Sequence, residues 1–145
     1  MKEKILVSAC LLGVPCRYDG RSKPCKAVID ALADYEAIPI CPEESGGLKT
    51  PRSPSEIVGD RVIMTDGTDV TEQYRKGAEI ALEIARENGC KTAVLKARSP
   101  SCGKGLIYDG TYTRTLTRGN GICAALLIDN GITVLDETEI EKIRL

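Results

Sequence analysis

The stretch "KTAVLKARSPSCG", residues 91–103, indicates the fold class. In it an apolar run passes directly into a polar turn, as at the end of a buried strand. The run "KTAVLKA" is short and rich in strand-forming residues, so it predicts a buried β-strand. The strand ends in "SPSCG", where Ser101 and Cys102 present a hydroxyl and a thiol side by side. Functional side chains often lie on loops that a rigid scaffold holds in place. The stretch therefore predicts a site at the end of a strand.

Strands and helices alternate along the rest of the chain. The runs "KILVSA" (4–9), "EAIPIC" (36–41) and "ITVLD" (132–136) predict three more strands. Periodicity, capping residues and terminal glycines predict helices over residues 22–32, 71–88, 120–131 and 137–145. This alternation predicts an α/β fold, a three-layer Rossmann-like or flavodoxin-like domain with a mostly parallel sheet.

Three segments interrupt the alternation. Residues 42–56, rich in Gly, Pro and Ser, predict a long functional loop. Residues 60–71 predict a small hairpin around Asp66 and Gly67, and residues 108–119 predict a polar loop. The length of 145 residues and the hydrophobic content of 42% fit one domain over residues 1–145.

Composition narrows the classes of function. The 20 basic and 21 acidic residues give a net charge of -1, which argues against a nucleic-acid or membrane-surface partner. Histidine is absent, which removes the usual general base and every Ser-His or Cys-His pair. Acid-base chemistry must therefore use carboxylates, Lys, Tyr, Cys or water.

The N-terminus predicts a reducing compartment for the seven cysteines. The charged N-terminus "MKEKILVSAC" has too short an apolar run for a signal peptide, which predicts a cytoplasmic protein. An odd number of cysteines cannot pair completely, and disulfides are rare in the cytosol. Thiols that cluster there are more often catalytic or metal-binding.

Three cysteines follow predicted strands. Cys10 and Cys41 end the first two strands, and Cys102 lies just past the strand in "KTAVLKA". All strands of a parallel sheet end on the same edge, where ligands bind. The three thiols are therefore expected to meet despite their distance in sequence, although burial as core residues is the plain alternative for each.

Three thiols without histidine suggest a metal. Structural zinc sites use four ligands at short Cys-x-x-Cys spacings, which this chain lacks, whereas iron-sulfur clusters accept thiolates alone. Three ligands on a 4Fe-4S cluster would leave one iron open to a substrate. Cys16 lies in the loop after the first strand, close enough to be a fourth ligand or a nearby thiol. A zinc- or thiol-dependent hydrolase or transferase, and a non-catalytic module for a small anion or sulfur species, stay open as alternatives.

Three motifs carry a resemblance to a known family. "SACLLGVPCRYDG" (8–20), "PICPEESGGLKTPRSPSE" (39–56) and "KARSPSCGKGLIYDGTY" (96–112) resemble the motif blocks of a small bacterial family, formerly of unknown function, that includes the thiouracil desulfurases. The resemblance implies a 4Fe-4S cluster held by three cysteines, with a free iron that captures the sulfur of a thiolated pyrimidine.

The resemblance also assigns roles to residues of this chain. The cluster ligands would be Cys10, Cys41 and Cys102, and the catalytic residues would be Glu43 and Ser101. A second carboxylate, Glu44, stands where the family more usually has an apolar residue. The place directly after Cys-Pro favours Glu43 as the proton-transfer group.

The implied reaction is a hydrolysis without net redox change. Iron would polarise the thiocarbonyl, a carboxylate would activate water, and the serine would hydrogen-bond the ring or the water. Several basic side chains in or beside the motifs would offset the cluster's charge or bind a substrate oxygen. They are Arg17, Arg52, Lys96, Arg98 and Lys104. Free thiouracil, a thiolated nucleoside and inorganic sulfur transfer all fit the pattern, and the oligomeric state is not readable from it.

Overall fold

The computed structural model describes residues 2–144 and has a four-stranded parallel sheet at its centre. In chain order the strands and α-helices are β1 (Lys4–Ser8), α1 (Lys26–Ala31), β2 (Glu36–Ile40), α2 (Pro42–Ser45), β3 (Ser55–Val58), β4 (Arg61–Met64), α3 (Thr71–Glu87), β5 (Thr92–Leu95), β6 (Leu106–Tyr108), β7 (Leu116–Arg118), α4 (Ile122–Asp129) and β8 (Thr133–Asp136). Two 3-10 helices, Ala9–Leu12 and Glu137–Arg144, complete the set. No helix within the described range is long and apolar enough to cross a membrane.

The central sheet has apolar side chains on both faces, which builds three layers. Successive side chains of a strand point to opposite faces, so Leu6 and Leu95 pack against α3 and α4. Val7 and Val94 pack on the other side, against α1 and the C-terminal 3-10 helix. This arrangement confirms the three-layer α/β fold with a parallel sheet that the sequence predicts.

The strand order places a crevice beside β1. The sheet runs β2-β1-β5-β8, so the chain leaves β1 first toward β2 on one side and later toward β5 on the other. Ligands of open α/β sheets bind at the carboxyl ends of the strands where the order reverses in this way. The loops that follow β1, β2 and β5 all reach this position.

Helix α3 forms as its sequence predicts. Its buried face includes Ala78, Ala81 and Ala85, three residues that let the helix lie close to the sheet. The chain leaves the helix at Gly89, whose φ of 66° is the left-handed conformation that glycine adopts without strain. The helix that the sequence predicts over residues 71–88 is therefore confirmed.

The first helix is shorter than its pattern predicts. Residues 22–25 stay extended because the amides of Lys23 and Cys25 bond to the carbonyls of Cys10 and Leu11. Helix α1 therefore begins at Lys26, and Ile29 is 44% exposed instead of packing in the core.

The polar segments hold more structure than the sequence predicts. The main hairpin is β3–β4, which turns at Gly59, and the predicted turn at Asp66 adds only one bridge between Ile63 and Asp69. The predicted loop 42–56 contains α2 and the start of β3, and the predicted loop 108–119 contains the end of β6 and all of β7, which pair as a hairpin. All three residues of β7 are exposed, so no apolar alternation marks the strand.

The C-terminal segment also differs in detail. Residues Glu137–Arg144 form a 3-10 helix instead of the predicted α-helix, and the last residue of that prediction lies outside the described range. Ile140 and Ile143 still pack against the layer of α1. The segment therefore packs on the fold as a tighter helix than the sequence predicts.

Candidate functional site

A cavity of about 560 Å³ opens at the carboxyl edge of the sheet. Its walls come from the segments that follow β1, β2 and β5, and from both hairpins. Cys10, Cys41, Cys102 and Glu43 line it, whereas Ser101 does not. The structure thus brings four of the five predicted site residues to one cavity. Cys16 lines the same cavity.

Cys10 is placed by the short 3-10 helix that follows β1 directly. Gly13 ends this helix with a φ of 99°, a left-handed value suited to glycine. The Cys10 carbonyl accepts hydrogen bonds from the amides of Gly13 and Lys23, at 3.3 and 3.0 Å. These bonds hold the backbone of Cys10 in place. The residue is 7% exposed.

Cys41 is placed by close packing of α2 on α3. The backbone of Cys41 is extended, and Cys41 directly precedes Pro42, the first residue of α2. A Cβ at Gly77 of α3 would lie 1.8 Å from the Pro42 carbonyl oxygen, and a Cβ at Gly46 would lie 1.9 Å from the Gln73 carbonyl oxygen. Both positions therefore need glycine, and their contact fixes the backbone between Cys41 and Glu43.

The "SPSCG" turn places Cys102 and caps a helix at the same time. Ser99 Oγ accepts hydrogen bonds from the amides of Ser101 and Cys102, at 3.0 and 3.1 Å. The carbonyls of Pro100 and Ser101 in turn accept from the first amides of α4, which would otherwise lack partners. A Cβ at Gly121 would lie 2.4 Å from the Ser101 carbonyl oxygen, so the turn and the helix are in direct backbone contact.

The thiols at the cavity influence one another. The Cys41 thiol donates to the Cys16 carbonyl over 3.7 Å, so the loop after β1 contacts the residue after β2. Interaction with the Cys10 thiol, together with burial, raises the pKa of Cys16 to about 11. Burial and the charge of Glu43 raise the pKa of Cys102 to about 12. Without a metal these two thiols are protonated at neutral pH, and a bound metal would displace the protons.

Glu43 and Glu44 point in different directions. Glu43 lines the cavity, where its Oε2 accepts from Arg52 Nη2 at 2.8 Å and from Tyr74 Oη at 3.5 Å. Glu44 is exposed and bonds to the Thr50 hydroxyl. Of the two carboxylates, only Glu43 lines the cavity.

Ser101 lies beneath the cavity surface. It is fully buried, and its hydroxyl has no hydrogen-bond partner among the described residues. A buried hydroxyl without a partner is rare in folded proteins, because losing water without replacement costs free energy. The hydroxyl is therefore available as a donor, and a group that it can serve is the Cys102 thiolate, whose pKa it lowers against the larger effect of burial.

The donor set at the cavity fits a cluster with several irons. Within residues 2–144, no three Cys, Asp or Glu side chains are already arranged around a metal ion, so the fit rests on the chemistry of the donors. A four-iron cluster binds each thiolate at a different iron, so its ligands surround a larger body than one ion. Cys10, Cys41 and Cys102 reach this cavity from three strand ends, and thiolates are the ligands that iron-sulfur clusters prefer.

The tyrosines at the cavity are residues that sequence reasoning did not identify. Tyr18, Tyr74, Tyr108 and Tyr112 line it, which is four of the five tyrosines in a chain without Phe or Trp. Two features of the sequence could have indicated these tyrosines. Tyrosine is rare in this chain, and three of the four lie inside the motifs. Of the five predicted basic residues, all but Lys104 line the cavity, and Lys104 pairs with Glu139 outside it.

Comparisons with known proteins agree with this geometry. The family model described as 2-thiouracil desulfurase matches residues 5–139. The uncharacterized protein YbbK of Bacillus subtilis (strain 168) is 39% identical, and the alignment covers 96% of this chain and 99% of YbbK. The structure of the [4Fe-4S]-dependent thiouracil desulfidase TudS is similar with a TM-score of 0.93 and 46% identity, over 99% of this chain and 96% of TudS. The chain therefore belongs to the 2-thiouracil desulfurase family.

Proposed function

We propose that this protein is a [4Fe-4S]-dependent enzyme that hydrolyses the C=S bond of a thiolated pyrimidine such as thiouracil. The observation that carries the proposal is the meeting of three strand-end thiols and one carboxylate at a single cavity. The similar structure TudS is named for the same cofactor and a thiouracil substrate.

Cys10, Cys41 and Cys102 would hold the cluster. When bound, the cluster supplies an iron without a protein ligand, which acts as a Lewis acid toward the sulfur of the substrate. We assign Cys16 to the cavity wall and not to the ligand set. The chain's seven cysteines, all within residues 2–144, are free thiols, which suits the cytoplasmic location that we also propose.

Glu43 would move the protons of the reaction. Water adds its oxygen to the carbon of the C=S group, the C–S bond breaks, and the products are the oxo-pyrimidine and sulfide. Glu43 takes a proton from the attacking water and returns it as the sulfide leaves, so that no electrons are gained or lost. Its place on the cavity wall supports this role.

Ser101 and the tyrosines would orient the substrate. The Ser101 hydroxyl is assigned to a hydrogen bond with the ring or with the attacking water, and because it does not line the cavity in this structure, the bond requires the side chain to rotate toward the cavity. Tyr108 and Tyr112 offer aromatic faces at a cavity in which a pyrimidine ring can stack. The buried Tyr74 keeps its proton, since burial and the charge of Glu43 raise its pKa well above the usual range.

The test is turnover by protein that is loaded with its cluster under anaerobic conditions. With 2-thiouracil in ¹⁸O-labelled water, we expect equal amounts of uracil and sulfide, label in the uracil, and no need for a reductant. The outcome that contradicts hydrolysis is unlabelled uracil or a dependence on added electrons. An absence of products from any thiolated pyrimidine would contradict the substrate class.

A further inference from the structure

Arg52 forms a buried ion pair with Glu43 at the cavity. Its Nη2 donates to Glu43 Oε2 at 2.8 Å, and the two side chains are only 5% and 16% exposed. Arginine does not lose its proton in proteins, so a buried guanidinium needs a carboxylate or several acceptors nearby. The pair lies beside the three thiols and inside one of the motifs.

The guanidinium also ties three segments of the chain together. Nη1 donates to the Thr50 hydroxyl at 2.9 Å and to the Lys49 carbonyl at 3.2 Å, both in its own loop. Nη2 donates to the Cys16 carbonyl at 3.2 Å as well as to Glu43. The planar fork of arginine can make these contacts together, and the single ammonium of lysine cannot.

This pairing leaves the two oxygens of Glu43 in different situations. Oε2 accepts from Arg52 and from Tyr74. No residue in the described range donates a hydrogen bond to Oε1, and the side chain lines the cavity. One oxygen is thus held by the protein, and the other is left for a ligand or water.

We propose that Arg52 is a positioning residue that holds Glu43 by Oε2 and so presents Oε1 to the reacting water. This inference rests on the proposed function of the site. It differs from a role in offsetting the cluster's charge or binding a substrate oxygen, because both terminal nitrogens already bind protein acceptors. Arg52 acts through Glu43 and does not itself touch the substrate.

The charge-retaining variant Arg52→Lys separates these roles, with Arg52→Gln beside it. We expect both variants to keep iron content and the Kd for the product uracil near wild type. Their kcat should fall by about 10- to 100-fold with KM nearly unchanged, because only the alignment of the proton-transfer group is lost. Arg61→Gln, which removes an exposed Arg61–Asp69 contact of the same 2.8 Å, is the matched control and should match wild type.

Two further readouts complete the test. In the Glu43→Gln background, Arg52→Lys should cause no further loss of kcat, since residues that act as one unit are not additive. A structure of cluster-loaded Arg52→Lys should show the Glu43 carboxylate turned from its present position. The proposal is overturned if Arg52→Lys turns over at the wild-type rate, if its kcat loss adds fully to that of Glu43→Gln, or if Glu43 keeps its position. Failure of wild-type protein to release sulfide would instead count against the proposed function, and the structure of the variant still tests the inference.

Discussion

Cys102 and Cys123 are buried to a similar extent, at 4% and 0% exposure, and pack in the same apolar cluster, but only Cys102 also lines the cavity. Cys102 lies at the carboxyl edge of the sheet, facing the cavity with Glu43 and the other strand-end thiols. Cys123 lies in α4, inside the apolar layer between the sheet and α3. Cys90 shares that apolar layer and is 6% exposed.

The comparison shows that burial does not tell a ligand from a core residue. Free cysteine is among the most buried residue types in either role. The difference is access to the cavity, because Cys102 shares the cavity wall with Glu43 and the two other strand-end thiols, whereas Cys123 does not line it. Position at a strand end, which the sequence reveals, is therefore a better guide to function than exposure.

The largest expected effect comes from removing a thiol at the edge. Serine at Cys10, Cys41 or Cys102 removes a proposed cluster ligand, so iron per chain should fall sharply and desulfuration should be lost. Cys90→Ser is the matched control for Cys10 and Cys102, buried to a similar extent but away from the cavity, and should keep iron near wild type. Iron loss in Cys90→Ser alone, or in Cys16→Ser to the same degree, would contradict the ligand assignment.

The second largest effect is expected at Glu43, where a loss of catalysis can be measured while the cluster stays bound. Glu43→Gln keeps the size of the side chain and removes the ionisable group, so it should slow sulfide release by about 10²- to 10⁴-fold with a full cluster. Glu44→Gln, on the neighbouring exposed carboxylate, is the control and should have little effect. Wild-type turnover by Glu43→Gln would remove the carboxylate from the reaction.

A third prediction concerns the packing that supports the edge. Glycine to alanine inside a helix usually stabilises a protein by about 1 kcal/mol. At Gly77 the added methyl group would lie 1.8 Å from the Pro42 carbonyl oxygen, so Gly77→Ala should destabilise by about 1 to 3 kcal/mol. Thermal unfolding measures the change, with exposed Lys76→Ala in the same helix as the control. Iron content should also drop, because Pro42 lies next to Cys41.

The smallest expected effect lies outside the cavity, at Glu139. Partial burial opposes its ionisation, but hydrogen bonds from Lys104 and Lys142 outweigh the effect of burial and lower the pKa of Glu139 to about 2. Its contribution to stability is therefore present above about pH 4.5 and is lost as the pH falls toward 2.

Melting temperatures of wild type and Glu139→Gln, measured from pH 6 to pH 2, test this contribution. The difference between the two proteins should be small near neutral pH and should vanish at the acid end. Exposed Glu87→Gln serves as the control. A difference that grows with acid would show that the ion pairs of Glu139 do not stabilise the fold.

The sequence predicts the central parallel sheet well, because buried parallel strands appear as continuous apolar runs. The same logic places Cys10, Cys41 and Cys102 on one edge, because all strands of a parallel sheet end on the same side. Strand β7 is not predicted because all its residues are exposed. Strand β3 is not predicted because its residues, among them the buried Glu56, lie in a segment with the composition of a polar loop.

Side-chain partners across loops are harder to predict than strands. Arg52 and Glu43 are nine residues apart in a Gly- and Pro-rich segment, where no periodicity indicates which groups meet. Ser101 follows the predicted strand, yet its side chain turns inward because α4 begins against its carbonyl. The local sequence predicts where a backbone segment lies in the fold. Tertiary contacts determine where each side chain points, and the local sequence does not show them.

The most direct test of the central claim is an anaerobic crystal structure with anomalous scattering at the iron edge. We predict one four-iron cluster in the cavity, bonded to the sulfur atoms of Cys10, Cys41 and Cys102, with its remaining iron facing Glu43. A cluster that takes Cys16 as a fourth ligand, a single metal ion in its place, or iron bound away from these three thiols would contradict the account.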